Sequence, residues 1–222
     1  MTTNNPLFEY NIPRGKTLQV RIIKDINEVK NKQNSINLIG FEQTGIINFR
    51  KEIEGKGKDL VNLGKHSALL GGITLVGGIS DNCGLRKKSI FVFENGRLNC
   101  ICDMNRYEDK YSTSYGYKII SYQNKKIGLL VDKDLYSPDA VKALILCGVG
   151  LIINLYEGFS AKKAIIASEF YSYVYGVDFI HFSQNQIAAF DYYGMPCQFE
   201  NDLIDLECCG VFKETKARTR GF

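Results

Sequence analysis

The chain has 222 residues, enough for one well-buried domain and short for two. Its composition, 45% hydrophobic and 23% charged, is that of a globular protein and excludes a low-complexity or collagen-like chain. A mild net charge of +4, spread along the chain apart from a basic cluster at residues 213–220, argues against a nucleic-acid-binding surface, and no run reaches the ~20 apolar residues of a membrane span. Residues 1–17 read as a leader, 18–210 as the folded domain and 211–222 as a basic tail.

Alternation of apolar and polar residues over 18–23 predicts a half-buried strand. Residues 25–35 are polar and short, and 36–41 form a second apolar strand ending at Glu42. A helix is predicted over 58–70, with Leu60, Val61, Leu63, Ala68 and Leu69 inward and Gly71-Gly72 as its stop. Residues 73–79 are a strand and 81–88 a turn-rich loop. Strands 89–93 and 98–102 form a hairpin around Asn95-Gly96, a strong turn signal. Residues 104–114 are polar and irregular, and a second hairpin joins 118–122 to 127–131.

The second half alternates. A helix over 137–147 is followed by a strand at 151–155 and a helix over 160–175, where Ala164, Ile165, Ala167 and Phe170 give an apolar stripe. Strands follow at 177–182, 186–190 and 203–208. Hairpins together with strand–helix alternation predict a mixed sheet with helices packed on it. Seven cysteines, an odd number with no secretory signal before them, imply reduced thiols and a cytoplasmic protein. Cys100-Ile-Cys102 and Cys208-Cys209 are not zinc knuckles, so no metal and no cofactor is implied. His66 and His181 are read as structural, and Cys147 as a core residue.

The most informative stretch is 127–139, Ile-Gly-Leu-Leu-Val-Asp-Lys-Asp-Leu-Tyr-Ser-Pro-Asp. A buried strand presents Asp132 and Asp134 at its C-terminal tip, where open α/β proteins place chemistry, and a Ser-Pro-Asp helix start follows. The stretch resembles the nucleophile elbow of the carbon–nitrogen hydrolase (nitrilase) superfamily, Gly-apolar-apolar-apolar-Cys-x-Asp-x-x-x-Pro-Glu. Gly128, Asp134, Pro138 and Asp139 fit that pattern, and Asp132 holds the cysteine slot. Leu38-Ile39-Gly40-Phe41-Glu42 looks like the family's first motif, with Glu42 at the general-base position. Counting forward from Gly96 places Met104 where the family has its lysine, with Asn105 and Arg106 beside it.

The resemblance implies a single-domain α/β fold, a nitrilase-like α-β-β-α sandwich, with a pocket formed by Glu42, the 104–106 segment, Asp132, Lys133 and Asp134. It also implies a homodimer built on the helices at 137–147 and 160–175. Of the family's Glu-Lys-Cys triad only the glutamate position is retained, so standard amidase or nitrilase activity is not expected, and the ligand is an unknown small molecule. Two carboxylates sharing one pocket would raise each other's pKa unless Arg106 or Lys133 intervenes. Two other readings stay open: a hydrolase acting through Asp132 on a C–N bond or another activated substrate, and Mg-dependent phosphotransfer at Asp132-x-Asp134.

Overall fold

The computed structural model describes residues 17–26, 32–160 and 162–206; most of the leader, the basic tail and the last residues of the 18–210 unit lie outside them. The described strands make two sheets. The first has the order β12-β1-β2-β4-β5-β6, with β3 also paired to β4. Its strands are β1 (Leu18–Ile23), β2 (Ile36–Ile39), β3 (Ile46–Asn48), β4 (Ile73–Asn82), β5 (Leu85–Glu94), β6 (Arg97–Asp103) and β12 (Leu203–Leu206). The second has the order β11-β10-β9-β8-β7, from β7 (Lys118–Tyr122), β8 (Lys125–Val131), β9 (Leu151–Leu155), β10 (Asp178–Phe182) and β11 (Ile187–Phe190). β1, β2 and β4 run parallel, as do β8, β9 and β10, and the hairpins are antiparallel.

Alternation decides the layering. Ile90 and Val92 of β5 face the other sheet and meet Leu129, Val131, Ile153 and Ile180 in a shared core. Their neighbours Phe91 and Phe93 point the other way, towards α1 (Phe49–Ile53) and α2 (Asp59–Leu70). On the far side, Leu130, Ile152 and Phe179 are covered by α3 (Pro138–Leu146) and α4 (Lys162–Tyr175). The result is helix, sheet, sheet, helix, the sandwich expected from the sequence.

Several local expectations are corrected. The 81–88 loop is a tight hairpin: β4 continues to Asn82, Cys83 and Gly84 turn with φ of 54° and 88°, and β5 begins at Leu85. Arg86, Lys87 and Lys88 disguised that strand because charge reads as loop. Residues 46–53, given no element from sequence, carry β3 and α1. On α2 the buried residues are Leu63, Gly64, Ser67 and Leu70, while Val61 and Leu69 are exposed. The helix seats so closely on the Asn95-Gly96 turn that a Cβ at Gly64 would lie 2.6 Å from the Gly96 carbonyl oxygen. On α4 the inward face is Ala164, Ser168, Tyr171 and Ser172, and Phe170 is exposed. The serines bury without penalty because Ser168 donates to the Ala164 carbonyl at 2.8 Å and Ser172 to that of Val177 at 2.6 Å. Cys147 is exposed at the end of α3 rather than in the core.

Candidate functional site

The five apolar residues that end β8, Ile127 to Val131, are all buried, and they deliver Asp132 to the end of the sheet. There the backbone turns sharply. Asp132 has a φ of 48°, a left-handed conformation that an L-residue adopts at a cost, and a 3-10 turn over Asp132–Tyr136 leads into α3. Such strain persists only where the surroundings hold it. Asn154, buried in the adjacent β9, donates from its amide nitrogen to the carbonyls of Leu130 at 3.2 Å and Asp132 at 3.1 Å. Its amide oxygen is left to accept, so the proton shared with His181 Nδ1 at 2.8 Å belongs to the histidine. Burial pushes His181 down to about 4, which keeps the ring neutral and fits it for this one-donor role.

Asp132 is 1% exposed and needs a counter-charge. It comes from Lys88, on the inward face of β5 in alternation with Ile90 and Val92 and 4% exposed. The Lys88 ammonium donates to Asp132 Oδ2 and to Glu108 Oε2 at 2.7 Å and is ion-paired with Glu157 Oε2 at 2.8 Å, with the Tyr111 ring centroid 4.9 Å away. Burial pushes Lys88 down, but the bonds to Asp132, Glu108 and Glu157 outweigh it and leave the lysine raised, hence fully charged. Burial pushes Asp132 up; Lys88 pulls against that, while Glu108 and Glu157 add to it, and the net direction is upward. Glu108 also accepts from Lys133 at 3.0 Å, and the two lysines bring its pKa below the ordinary value despite burial.

Asp134 is held differently. Its carboxylate accepts from the backbone N–H of Asn105 at 3.0 Å and of Arg106 at 2.8 Å, which ties the 104–106 segment to the elbow. Burial outweighs these bonds and pushes it up to about 6. Met104 is fully buried, and its N–H donates to the Lys88 carbonyl at 2.9 Å, one step beyond the Ser89–Asp103 pair. Lys88 and Met104 therefore sit opposite one another across the β5–β6 ladder.

Glu42 lies on the 3-10 turn Phe41–Gln43 after β2. That turn is well anchored: Gln43 donates to the Ile23 carbonyl at 2.6 Å, Thr44 to that of Gly77 at 2.5 Å, and the Phe41 ring lies where a Cβ on Gly77 would be, 2.5 Å away. Glu42 itself is exposed, its carboxylate folded back over Gly40, and it makes no hydrogen bond or ion pair with another described residue. The structure thus gathers Asp132, Lys133, Asp134, Asn105 and Arg106 about the elbow, and gives Glu42 no bond to them.

Three residues at the centre escaped the sequence reading: Lys88, Glu108 and Glu157. Lys88 had a signal, since it continues the Ile90, Val92 alternation by one step. Glu157 had a weaker one, lying just past the tip of the apolar strand β9. Glu108, in an irregular segment, had none. Among the described residues, no group of three or more His, Cys, Asp or Glu side chains is placed to hold a metal ion, and no helix is long and apolar enough to cross a membrane.

No protein-family profile matches the sequence, and no curated protein matches it. Solved structures do match. An alanine mutant of Nesterenkonia AN1 amidase from the nitrilase superfamily superposes with a TM-score of 0.70 at 10% identity, covering 94% of this chain and 98% of that one. A carbon-nitrogen hydrolase from Helicobacter pylori G27 gives 0.66 at 12% identity over 91% and 92% of the two chains. The glutamine-dependent NAD+ synthetase from Acinetobacter baumannii gives 0.62 at 12% identity, over 85% of this chain and 45% of that one. At these identities the likeness is one of fold: the chain has the nitrilase-superfamily sandwich over nearly its whole length.

Proposed function

We propose that this chain is a divergent nitrilase-like protein that has given up cysteine-dependent hydrolysis of amides and nitriles and uses the elbow as a binding site. One observation carries the reading. The side chain at the elbow is a carboxylate engaged by Lys88, whose ammonium is hydrogen-bonded to Asp132 and Glu108 and ion-paired with Glu157 at 2.8 Å, so that carboxylates surround it. A hydrolytic site of this lineage needs a nucleophile free to attack and a cation with a donor to spare for the negative oxygen of the tetrahedral intermediate. Here the nucleophile and the cation neutralise each other. Lys88, cross-strand from Met104, supplies the positive charge that Met104 cannot, but in a structural geometry. The same partners weigh against phosphotransfer, since Asp132 faces an ammonium and Asp134 accepts backbone N–H groups, leaving little for Mg²⁺.

The test is turnover by the purified full chain on simple amides, ω-amides and nitriles. The expected result is none above background. Robust turnover abolished by Asp132→Ala would establish the rival reading, a hydrolase acting through Asp132. Acyl-enzyme formation gained by Asp132→Cys combined with Met104→Lys would support the lineage.

The chain is further proposed to pair as a homodimer through α4 and α3. Ile166, Phe170, Tyr173 and Val174 expose apolar surface on α4, Leu146 does so at the end of α3, and the turn carrying Tyr193 and Met195 abuts Tyr173 through Gly194.

A further inference from the structure

We propose that the elbow site binds a small primary ammonium ion, held by the free oxygen of Asp132 and by Glu157. The proposal deepens the reading of the site as a binding one, and it starts from a charge count. Asp132, Glu108 and Glu157 converge on Lys88, and Lys133 is the second cation of the cluster. Among the described residues, three carboxylates meet two ammonium groups in this ion-paired cluster, and Asp134 and Arg106 beside it add one charge of each sign, so the balance stays at one negative charge.

The second observation is an orphaned atom. Asp132 Oδ1 is buried and has no hydrogen-bond partner among the described residues, although the residue's other oxygen is tightly engaged. An unpaired carboxylate oxygen away from water is costly, and what relieves it is a donor, best a charged one. Glu157 is less enclosed, its side chain 31% exposed, and is the carboxylate of the cluster nearest to solvent.

The walls suit a cation as well. Tyr111, Tyr136 and Tyr156 are half-buried around the cluster, and each hydroxyl is pushed up by burial with the negative charge of Asp132 adding to it. Aromatic faces beside surplus negative charge attract cations, as the Tyr111 ring already does for Lys88 and the Tyr136 ring for Lys163, 5.2 Å from its centroid. An anion meets surplus like charge here, and a neutral amide leaves that charge uncompensated. A quaternary ammonium brings charge but no N–H for Asp132 Oδ1. A primary ammonium brings both.

The experiment is an NMR titration of the full chain with ethylammonium chloride, with tetramethylammonium chloride, sodium acetate and acetamide as comparison probes. Saturable shifts of the backbone amides near Asp132 and Glu157 are expected with ethylammonium, with binding at least about tenfold weaker for each other probe. Glu157→Gln, at a half-exposed position that tolerates the change, should weaken ethylammonium by about tenfold, and Asp132→Asn by more. Absence of saturable ethylammonium shifts, equal binding of tetramethylammonium, preferred binding of acetate, or an unchanged affinity in Glu157→Gln would each overturn the proposal. Amide turnover is measured separately, so an active hydrolase that binds ethylammonium defeats only the reading of inactivity, and an inactive protein that ignores it defeats only this one.

Discussion

Replacing Lys88 by Met should reveal how much of the fold depends on the charge cluster. Methionine keeps the length and apolar stem of lysine, so the change is one of charge. Asp132, 1% exposed, then loses its only ionic partner among the described residues, and breaking a fully buried pair costs about 3–5 kcal/mol. The other two partners are wetter, with 23% and 31% side-chain exposure for Glu108 and Glu157, and each adds at most about 1 kcal/mol. With a urea m-value of about 2–3 kcal/mol/M for a chain of this size, the midpoint should fall by about 1–3 M near neutral pH. The pH dependence carries the sharper signature. Without Lys88, the folded-state pKa of Asp132 rises further above its unfolded value. Protonation then favours the folded state, and the deficit shrinks as pH drops towards the ordinary carboxylate range. Urea unfolding of both proteins across that range is the assay. A loss below about 1 kcal/mol at neutral pH, or a loss that does not shrink on acidification, would refute the argument that Asp132 depends on this ammonium.

Asp134 should dominate a second pH effect. Its pKa rises from the model-peptide range to about 6 on folding, so its favourable contribution is full below the unfolded value and is lost as pH climbs through about 6. Asp134→Asn, which keeps a carbonyl for the Asn105 and Arg106 N–H groups, should flatten that slope in thermal unfolding; an unchanged slope would locate the titration elsewhere. Light scattering at micromolar concentration should report twice the 25.1 kDa chain mass, reduced to one copy by Tyr173→Glu. Tyr171→Glu should instead unfold the protein, because Tyr171 is buried and stacks on Tyr175 and Phe179 at 6.1 and 6.3 Å. A folded monomer in wild type would remove the dimer. Alkylation followed by mass spectrometry should modify Cys83 and Cys147 quickly and Cys102 only after unfolding, since the first two are exposed and burial pushes the third up to about 12. Fast native-state labelling of Cys102 would contradict its placement.

Much of the architecture was legible in the sequence because period and punctuation agree there. Apolar runs at 127–131 and 151–155 read as buried strands, Asn95-Gly96 marks the turn between β5 and β6, and Gly71-Gly72 marks the end of α2. The elbow was legible for the same reason. What failed to show were contacts set by tertiary neighbours. Lys88 looked like loop because its compensation lies at Asp132, Glu108 and Glu157, between 20 and 69 residues away in sequence. The apolar stripe of α4 left out its buried serines because their partners are backbone carbonyls, which no pattern of side chains displays. Met104 follows β6 directly, and the buried cation stands on the strand opposite it, a position that counting along one strand does not see.

The left-handed backbone at Asp132 inverts the usual logic of a mutational scan at that position. Alanine, the customary blank, removes the carboxylate but keeps a Cβ in a conformation that costs an L-residue about 1–2 kcal/mol. Glycine removes both the charge and that cost, and asparagine, at home in this region, removes only the charge. At nearly every ordered site glycine is the more damaging choice; here it should be the milder one. The difference between Asp132→Ala and Asp132→Gly then weighs the strain that Asn154 and its strands hold in place, and the difference between Asp132→Asn and Asp132→Gly weighs the side chain itself. A single codon position thus separates what the fold imposes on the elbow from what the elbow's chemistry gives back.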